Sequence, residues 1–206
     1  MSGSEPTVFV VDDELSVRKA LSHLLRAAGL NVATFASAQA FLEDHDSSVP
    51  GCLVLDLAMP ALNGLELQEA LAARGNPLPI VFLTGHGDVP SGIRAMKRGA
   101  LDFLGKPVDA TDLLEAVRAG IEKDRIARQV NNELAEIRQR VATLSPREYE
   151  VLCHVISGKL NKQIAADLGT AEKTIKVHRA RGMKKVKAKS LAELVRLAER
   201  VGIQPL

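Results

Sequence analysis

Residues 7–14 read TVFVVDDE, a mostly apolar run that ends directly in three acids. A short, nearly continuous apolar run is typical of a β-strand covered on both faces, as in parallel sheets. The runs GCLVLD at 51–56 and PIVFLT at 79–84 have the same character. Weaker runs at 32–35 and 101–104 complete a prediction of five short strands.

The segments between these runs have helical spacing, and several end at a glycine, which is a common helix stop. They are 15–28, about 37–45, 64–73, about 90–98 and a helix that starts near Asp109. Strands that alternate with helices through short connections predict an α/β fold with a doubly wound, five-stranded parallel sheet. Because such sheets bind ligands beyond the carboxyl ends of their strands, we expect a functional site just after residues 11, 56, 84 and 104.

The composition of the 206-residue chain is that of an ordinary globular protein, with 46% hydrophobic and 25% charged residues. A chain of this length forms one large domain or two small ones. It lacks the ~18-residue apolar stretch of a membrane-spanning helix, and its N-terminus lacks the basic region of a secretion signal. Cys52 and Cys153 are too far apart in sequence to form a metal-binding motif. We therefore expect a reduced, cytoplasmic setting.

The formal charge is unevenly distributed along the chain. Residues 1–122 have 9 Lys and Arg against 16 Asp and Glu, a balance of −7. Residues 123–142 have 5 against 3, or +2, and residues 143–206 have 13 against 6, or +7. An acidic part followed by a basic part predicts two functions, with polyanion binding in the C-terminal part. Chance clustering of surface charge is the simpler alternative.

Residues 123–142 are predicted to continue the fifth helix as a linker. Apolar residues recur there at steps of three and four, at Val130, Leu134, Ile137, Val141 and Leu144. This heptad spacing is typical of a dimerising helix, and packing onto one of the chain's own domains explains it equally well. We therefore divide the chain into a domain at 1–122, a linker at 123–142 and a domain at 143–206.

The C-terminal segment has only helical patterns. The capping box Ser145–Glu148 opens a helix that ends near Gly158, and further helices are predicted at 161–168, at about 171–186 and between Ser190 and Gly202.

Within this all-α, four-helix segment, the residues after Asn161 have helix-turn-helix spacing. Counted from Asn161 as the first position, Ala165 is fifth, Gly169 ninth and Ile175 fifteenth. A small residue lets the two helices cross closely, the glycine makes the turn, and the isoleucine fills the shared core. Small helical domains often reuse this spacing, but the basic charge of the segment makes DNA binding the stronger interpretation.

Polar side chains stand at four of the predicted strand ends. Asp12 and Asp13 follow the first strand, and Asp56 ends the third. Carboxylates held this close need a cation or raised pKa values, and their oxygens are ligands that suit Mg²⁺. Thr84 ends the fourth strand and Lys106 follows the fifth. The set fits phosphoryl transfer onto Asp56, in which the metal and the lysine neutralise charge on the phosphoryl oxygens.

A simpler interpretation is that Asp12 and Asp13 only cap the first helix, as acids often do. It leaves the matching residues at the other strand ends unexplained.

Three segments carry a resemblance to a known family: VFVVDDELSVRKAL, GCLVLDLAMPALNGLEL and PIVFLTGHGDVPSGIRAMKRGALDFLGKPV. With the C-terminal helices, they resemble a two-component response regulator of the FixJ/NarL type over nearly the whole chain. The resemblance implies a flavodoxin-like receiver domain with strand order 2-1-3-4-5. It also implies a LuxR-type helix-turn-helix DNA-binding domain at the C-terminus, where NKQIAADLGTAEKTIKVHRARGMKKV stands.

The resemblance assigns the metal and the phosphoryl acceptor. Asp56 would accept phosphate from a histidine of a sensor kinase. Mg²⁺ would be bound by Asp13, Asp56 and the backbone carbonyl of Ala58, with Asp12 acting mostly through water.

It also assigns the residues of the switch. Lys106 would pair with the phosphoryl group, aimed into the pocket by a cis peptide bond to Pro107, and Thr84 would move toward that group. Phe103, three residues before Lys106, would be the aromatic side chain whose inward turn reports the switch.

In the C-terminal domain, the resemblance places helix 171–186 in the major groove of DNA. Base contacts would fall to Lys176, Val177 and Arg181, and phosphate contacts to Lys162, Lys173, Thr174 and Arg179. For the later lysines, a solvated basic tail is the simpler interpretation: Lys184, Lys185, Lys187 and Lys189.

Some positions depart from the usual pattern of the family. Ala58 offers no polar side chain beside the acceptor, and His86, two residues after Thr84, is expected in a surface loop. Ala61 stands in a loop that usually has an early glycine. Gly182 lies inside the recognition helix, where either a close contact or fraying beyond Arg181 accounts for it.

Three functions compete. An aspartyl-phosphate phosphohydrolase would need an acid two residues after the nucleophile, where Ala58 stands, and a substrate pocket for which the first domain is too short. A phosphorylation-controlled scaffold that binds protein is disfavoured by the basic helix-turn-helix. We predict a transcription regulator, not an enzyme, that could still catalyse its own phosphorylation and dephosphorylation. Its partners would be a sensor histidine kinase, promoter DNA, RNA polymerase and, on phosphorylation, a second copy of the chain, with no membrane.

Overall fold

The computed structural model describes residues 5–75, 78–85, 89–204 and 206, with Val89 described by its backbone alone. The chain forms two compact units, Met1–Arg128 and Gln129–Leu206. None of the helices in the described ranges has both the length and the apolar character that a bilayer crossing requires.

The first unit has a parallel sheet whose strand order is β2-β1-β3-β4-β5. This confirms the doubly wound α/β fold and the 2-1-3-4-5 order. The strands are β1 Thr7–Val11, β2 Asn31–Phe35, β3 Gly51–Asp56, β4 Ile80–Thr84 and β5 Asp102–Gly105. The helices are α1 Leu15–Ala27, α2 Ala38–Asp44, α3 Gly64–Ala73, α4 Val89–Lys97 and α5 Ala110–Ala142, which runs on into the second unit.

The core lies on both faces of the sheet because the central strands are apolar at every position. One layer contains Phe9, Leu53 and Phe82, and the opposite layer contains Val54 and Leu83. The side chains of Leu53, Val54 and Phe82 are completely buried. Burial of a side chain of this size contributes about 1.5–3 kcal/mol. Side-chain packing therefore fixes where each strand ends, and with it where the polar residues stand.

The strand register aligns the carboxyl ends of the central strands. Val11 pairs with Leu55, so Asp12 stands level with Asp56 across the β1–β3 junction. Asp56 in turn pairs with Leu83, one residue before Thr84. Thr84 pairs with Gly105, the residue before Lys106, so the ends of four strands present polar residues at a single edge.

Helix α5 is anchored to the opposite edge of the sheet by hydrogen bonds of Asp124 and Arg128 to the backbone of residues 47–51. The carboxylate of Asp124, which has no exposed surface, accepts hydrogen bonds from the backbone N–H of Gly51 at 2.9 Å and from Nε of Arg128 at 2.7 Å. The guanidinium of Arg128 also donates to the carbonyl oxygens of Ser47, Ser48 and Val49. These contacts extend the first unit past residue 122, into the segment predicted as linker.

The second unit is helical, as predicted. Its further helices are α6 Pro146–Ile156, α7 Asn161–Asp167, α8 Glu172–Val186 and α9 Leu191–Val201. Ser145 and Glu148 form the predicted capping box, and the Ser190 hydroxyl caps α9 by accepting from Glu193 N–H. The core contains Val151, Ile164, Ile175 and Leu194. Ile175 therefore fills the shared core of α7 and α8, as helix-turn-helix spacing requires.

The C-terminal part of the heptad seam belongs to the second unit. Val141 and Leu144 pack against its core, and Ile137 is buried, whereas Val130 is 44% exposed. Packing onto the chain's own domain therefore accounts for the seam from Ile137 onward.

Gly182 marks a close approach between α8 and α6. A Cβ atom at this position would lie 3.0 Å from Cδ1 of Leu152, inside ordinary packing distance. Helix α8 continues to Val186 without interruption. Of the two explanations for this glycine, close contact is therefore correct and fraying beyond Arg181 is not.

Candidate functional site

Three carboxylates meet at the carboxyl edge of the sheet. Oxygen atoms of Asp12, Asp13 and Asp56 all lie within 4.8 Å of one another. Asp12 and Asp56 are buried, with 1% and 6% of their surface exposed, whereas Asp13 is exposed. Three negative groups at this spacing repel one another unless a cation lies among them. Hard oxygen ligands of this kind suit a divalent metal ion.

Lys106 supplies one cation to this cluster. Its Nζ atom lies 2.6 Å from Oδ2 of Asp12 and 3.0 Å from Oδ1 of Asp56. The Lys106–Pro107 peptide bond is cis, as the resemblance implied. The backbone N–H of Lys106 donates to the carbonyl oxygen of Thr84 at 2.6 Å. Lys106 therefore joins the ends of four strands through its side chain and its backbone: β1, β3, β4 and β5.

Burial and charge both shift the protonation of these groups. Burial raises the pKa of Asp56 above its usual value, and the negative charges of Asp12 and Asp13 act in the same direction. The hydrogen bond and charge of Lys106 oppose that shift in the pKa of Asp56 without cancelling it. Burial alone would lower the pKa of Lys106, but its bonds to Asp12 and Asp56 raise it, so the ammonium group stays charged.

The N-cap residue of α1 is Glu14, so the simpler interpretation, in which Asp12 and Asp13 cap this helix, is wrong. Asp12 instead orders the turn before the helix. Its Oδ1 atom accepts a hydrogen bond from Glu14 N–H at 2.8 Å, while Oδ2 contacts Lys106. Asp12 therefore holds the turn before α1 with one carboxylate oxygen and contacts Lys106 with the other.

Ala58 and Thr84 line the same pocket as Asp13, Asp56 and Lys106. Ala58 is exposed there, and Thr84 is buried. Gly64 is required beside them, because a Cβ atom at this position would lie 2.5 Å from the carbonyl oxygen of Asp56. Ala61 has a positive φ of 65°, the left-handed conformation that explains the early glycine of related loops.

Phe103 lies outside the acidic cluster. Its ring centroid is 6.4 Å from that of Phe82, and its side chain is half-buried against the core. The position of His86, expected in a surface loop, lies outside the described residues.

A positively charged residue that the sequence patterns did not single out holds the loop of the acids. Nη1 of Arg18, in α1, donates to the carbonyl oxygens of Asp12 at 2.7 Å and Asp13 at 2.9 Å. The sequence signal for this role of Arg18 is weak. It consists only of an arginine in the second turn of the helix that follows the acids.

In the second unit, most residues predicted to contact DNA are exposed on α7 and α8. These are Lys162, Lys173, Thr174, Lys176, Val177 and Arg181. Lys176 also pairs with Glu172, one helical turn earlier, at 2.9 Å. Val177 is 42% exposed, which leaves its methyl groups available to a partner.

Two basic residues have partners inside the protein. Arg179 is half-buried, and its Nη1 donates to Oδ1 of Asn161 at 3.0 Å, which links α8 to the start of α7. Lys185 was predicted to lie in a solvated tail, and this is wrong. Its Nζ contacts Oε2 of Glu148 at 2.5 Å and the carbonyl oxygen of Thr143 at 3.0 Å, because α8 packs directly on the start of α6.

Comparison with known proteins matches each of the two units to a protein family. Residues 8–118 match the family described as response regulator receiver domain, and residues 142–198 match the luxR family of bacterial regulatory proteins. Nodulation protein W of Bradyrhizobium diazoefficiens is 46% identical over 202 residues, covering 98% of this chain and 89% of that protein. The transcriptional regulatory protein FixJ of Azorhizobium caulinodans is 45% identical, covering 96% of this chain and 94% of that protein.

A solved structure agrees with these relatives. The response regulator StyR has a TM-score of 0.88 and 48% identity, covering 96% of this chain and 100% of that chain. The receiver fold, the acidic edge and the helix-turn-helix unit define a regulator with an input domain and a DNA-binding domain. The chain belongs to the two-component response regulators with a LuxR-type DNA-binding domain, which are regulators of transcription and typically not enzymes.

Proposed function

We propose that Asp56 is the phosphoryl acceptor of this regulator and that its phosphorylation controls DNA binding by the second unit. The observation that carries the proposal is the position of Lys106 Nζ, in contact with both Asp12 and Asp56 beside a cluster of three carboxylates. This arrangement has a nucleophile, a metal-binding set and a fixed cation at one strand edge. Phosphoryl transfer to a carboxylate uses all three together.

In the reaction, an oxygen of Asp56 attacks the phosphorus atom of a phosphohistidine. The P–N bond breaks, and the imidazole leaves with the electron pair and takes up a proton. Lys106, which already contacts Asp56, can turn to the oxygens of the transferred group while remaining beside Asp12. The residues that would hold Mg²⁺ are Asp13, Asp56 and the carbonyl of Ala58, with Asp12 acting through water. When bound, the ion supplies charge neutralisation at the phosphoryl oxygens.

Thr84 and Phe103 are the residues we assign to the switch. Thr84 pairs with Gly105 in the sheet, two residues from Phe103, so a movement at the acidic edge reaches both strands. The ring of Phe103 packs closely against Gly92 of α4. A Cβ atom at Gly92 would lie 3.0 Å from Cε1 of this ring. A shift of Thr84 toward the phosphoryl group would open space for Phe103 to turn inward, which would change the α4 surface.

The α4 surface supports dimerisation as the output. Ile93 and Met96 are 50% and 45% exposed on α4, next to the strand that carries Phe103. We propose that phosphorylation pairs two copies through this face. A dimer would then place two recognition helices on half-sites about 34–36 Å apart, or at multiples of that spacing.

For DNA recognition, we propose that α8 enters the major groove. Lys176, Val177 and Arg181 are exposed on it and are assigned to base contacts. The phosphate contacts are assigned to Lys162, Lys173, Thr174 and Arg179, the last through N–H groups other than the one that Asn161 accepts.

The remaining assignments follow from this function. We propose a receiver domain at 1–122, a helical linker at 123–142 and a DNA-binding domain at 143–206, with α5 anchored as far as Arg128. The partners are a sensor histidine kinase and RNA polymerase, and the setting is cytoplasmic. Self-catalysed phosphorylation from small donors and self-catalysed dephosphorylation belong to the same chemistry at Asp56.

The test uses a small phosphodonor with Mg²⁺ and the full chain. The wild type should gain one hydroxylamine-labile phosphoryl group, Asp56→Asn should gain none, and Asp13→Asn should react more slowly because its metal binding is weaker. Asp46→Asn, an exposed aspartate on the loop before β3, is the matched control and should react like the wild type. Labelling that survives in Asp56→Asn would refute the assignment.

A further inference from the structure

The carbonyl groups of Asp12 and Asp13 lie between the end of β1 and the start of α1. Glu14 is the N-cap of α1, and the helical hydrogen bonds begin with Arg18 N–H to the Glu14 carbonyl at 3.1 Å. The carbonyls of Asp12 and Asp13 therefore stand outside the hydrogen-bond ladder of the helix. Their orientation depends on contacts made by side chains or water.

One atom makes such a contact with both carbonyls. Nη1 of Arg18 lies 2.7 Å from the carbonyl oxygen of Asp12 and 2.9 Å from that of Asp13. A single nitrogen shared by two successive carbonyls fixes both peptide planes on the side of α1. The carboxylate of Asp13 then points into the pocket that it shares with Asp56 and Lys106.

The two acids differ in how firmly their side chains are held. Asp12 is buried, and its carboxylate contacts both Glu14 N–H and Lys106 Nζ. Asp13 is exposed, so its direction depends mainly on its backbone. The contact with Arg18 therefore matters most for Asp13.

We propose that Arg18 is a positioning residue for the divalent cation: it holds the turn at Asp12 and Asp13 so that their carboxylates converge with Asp56. The proposal rests on the proposed function, because it concerns the metal that serves phosphoryl transfer. Arg18 acts through the backbone and touches neither the metal nor the phosphoryl group. Outer contacts of this kind typically change metal affinity 10–100-fold when they are removed.

Arg26 is a matched control on the same helix. Its Nη2 donates to the carbonyl oxygen of Val32 at 3.2 Å, so it also ties α1 to a backbone carbonyl. Val32 lies near the amino end of β2, whereas the acidic residues lie at the carboxyl edge of the sheet. Arg26→Ala therefore removes an arginine, a charge and a carbonyl contact without disturbing the acidic loop.

The first measurement is Mn²⁺ binding by the full chain, followed through the electron paramagnetic resonance of the free ion, with Mn²⁺ standing in for Mg²⁺. We expect Arg18→Ala to weaken binding about tenfold. Arg18→Lys should recover most of the affinity, because one ammonium nitrogen can contact both carbonyls. Arg26→Ala should bind like the wild type.

The second measurement separates positioning from general damage. The rate of phosphorylation from a small donor is recorded against Mg²⁺ concentration. Arg18→Ala should need about tenfold more Mg²⁺ for half-maximal rate and should still reach nearly the wild-type rate at saturation. If Arg18→Ala does not fold, Arg18→Gln replaces it and must show the same shift.

The outcomes are distinct. Wild-type Mn²⁺ affinity in folded Arg18→Ala, or an equal loss in Arg26→Ala, would overturn the role of Arg18. A lower plateau rate with unchanged Mg²⁺ dependence would overturn it as well. Failure of the wild type itself to bind Mn²⁺ or accept a phosphoryl group would instead refute the proposed function.

Discussion

The ammonium nitrogen of Lys106 lies 3.0 Å from Oδ1 of Asp56, although Asp56 ends β3 and Lys106 follows β5, with β4 between these two strands. Strand β4 ends at Thr84, which pairs with Gly105, the residue before Lys106. Burial raises the pKa of Asp56 in spite of this contact. The protein therefore keeps an acid at this position whose charge is only partly compensated by its own residues.

The first prediction is that Asp56→Asn stabilises the metal-free protein at neutral pH. A carboxyl group with a raised pKa is costly to the folded state when it is ionised, so its removal should increase the free energy of unfolding by roughly 1 kcal/mol. The gain should shrink as the pH falls toward the ordinary range of an aspartate, because the wild type then becomes protonated. Urea unfolding at several pH values measures both effects.

Added Mg²⁺ should make the wild type more stable than Asp56→Asn. Binding to the folded state alone stabilises by about 2.7 kcal/mol at a hundred times the dissociation constant, and Asp56→Asn removes one ligand. Equal stabilisation of both proteins by Mg²⁺ would argue against a metal site at Asp56.

The second prediction concerns acid sensitivity in the second unit. The hydrogen bond from Lys185 lowers the pKa of Glu148 from 4.5 to about 2, and the Ser145 backbone N–H acts in the same direction. An acid with a lowered pKa contributes stability that is fully present above 4.5 and is lost as the pH falls toward 2. We expect Glu148→Gln to be less stable than the wild type at pH 7 and to approach it near pH 2.

The matched control is Glu150→Gln, because Glu150 forms an exposed pair with Arg147 on the same helix. It should change the denaturation midpoint little at any pH, since exposed pairs contribute about 0–1 kcal/mol. A pH-independent difference between Glu148→Gln and the wild type would contradict the assignment of the lowered pKa.

The third prediction concerns two alanines of the same region. We expect their substitution by glycine to change the stability of the protein in opposite directions. Ala61 is exposed and has a φ of 65°, where any residue with a Cβ atom is strained. Ala61→Gly should stabilise the protein by about 1 kcal/mol. Ala72 is exposed within α3, so Ala72→Gly should destabilise by about 1 kcal/mol. Thermal unfolding of both variants decides, and destabilisation by Ala61→Gly would refute the argument from φ.

The fourth prediction concerns the end of the first unit. Asp124 is fully buried and accepts from Gly51 N–H and Arg128, so a fragment 1–122 lacks a partner for a buried backbone donor. It should be less stable than a fragment 1–130 by about 1–3 kcal/mol. Asp124→Asn in the longer fragment should lower the free energy of unfolding by part of the same amount. Equal urea midpoints for the two fragments would show that the anchor at Arg128 contributes nothing.

The apolar runs in the sequence predict where the strands end. Because parallel topology brings strand ends to one edge, they also predict that a group of polar residues lies close together: Asp12, Asp56, Thr84 and Lys106. Side-chain pairing between distant residues was not predictable in this way. The contacts of Lys185 with Glu148, and of Arg128 with the loop before β3, depend on helix orientations that no local pattern encodes.

The sequence pattern does not decide the role of Gly182, for the same reason. Only the distance between α8 and Leu152 shows that a side chain at this position has no room.

The central claim is that phosphorylation of Asp56 controls DNA binding, and the most direct test is a titration of one duplex operator. The operator is selected from a random duplex pool with the full chain in the presence of phosphodonor and Mg²⁺, and all titrations use the same salt concentration. We predict that donor treatment tightens binding by the wild type about 5–150-fold and leaves Asp56→Asn unchanged. An unchanged affinity of the wild type, or an equal gain in Asp56→Asn, would contradict the account.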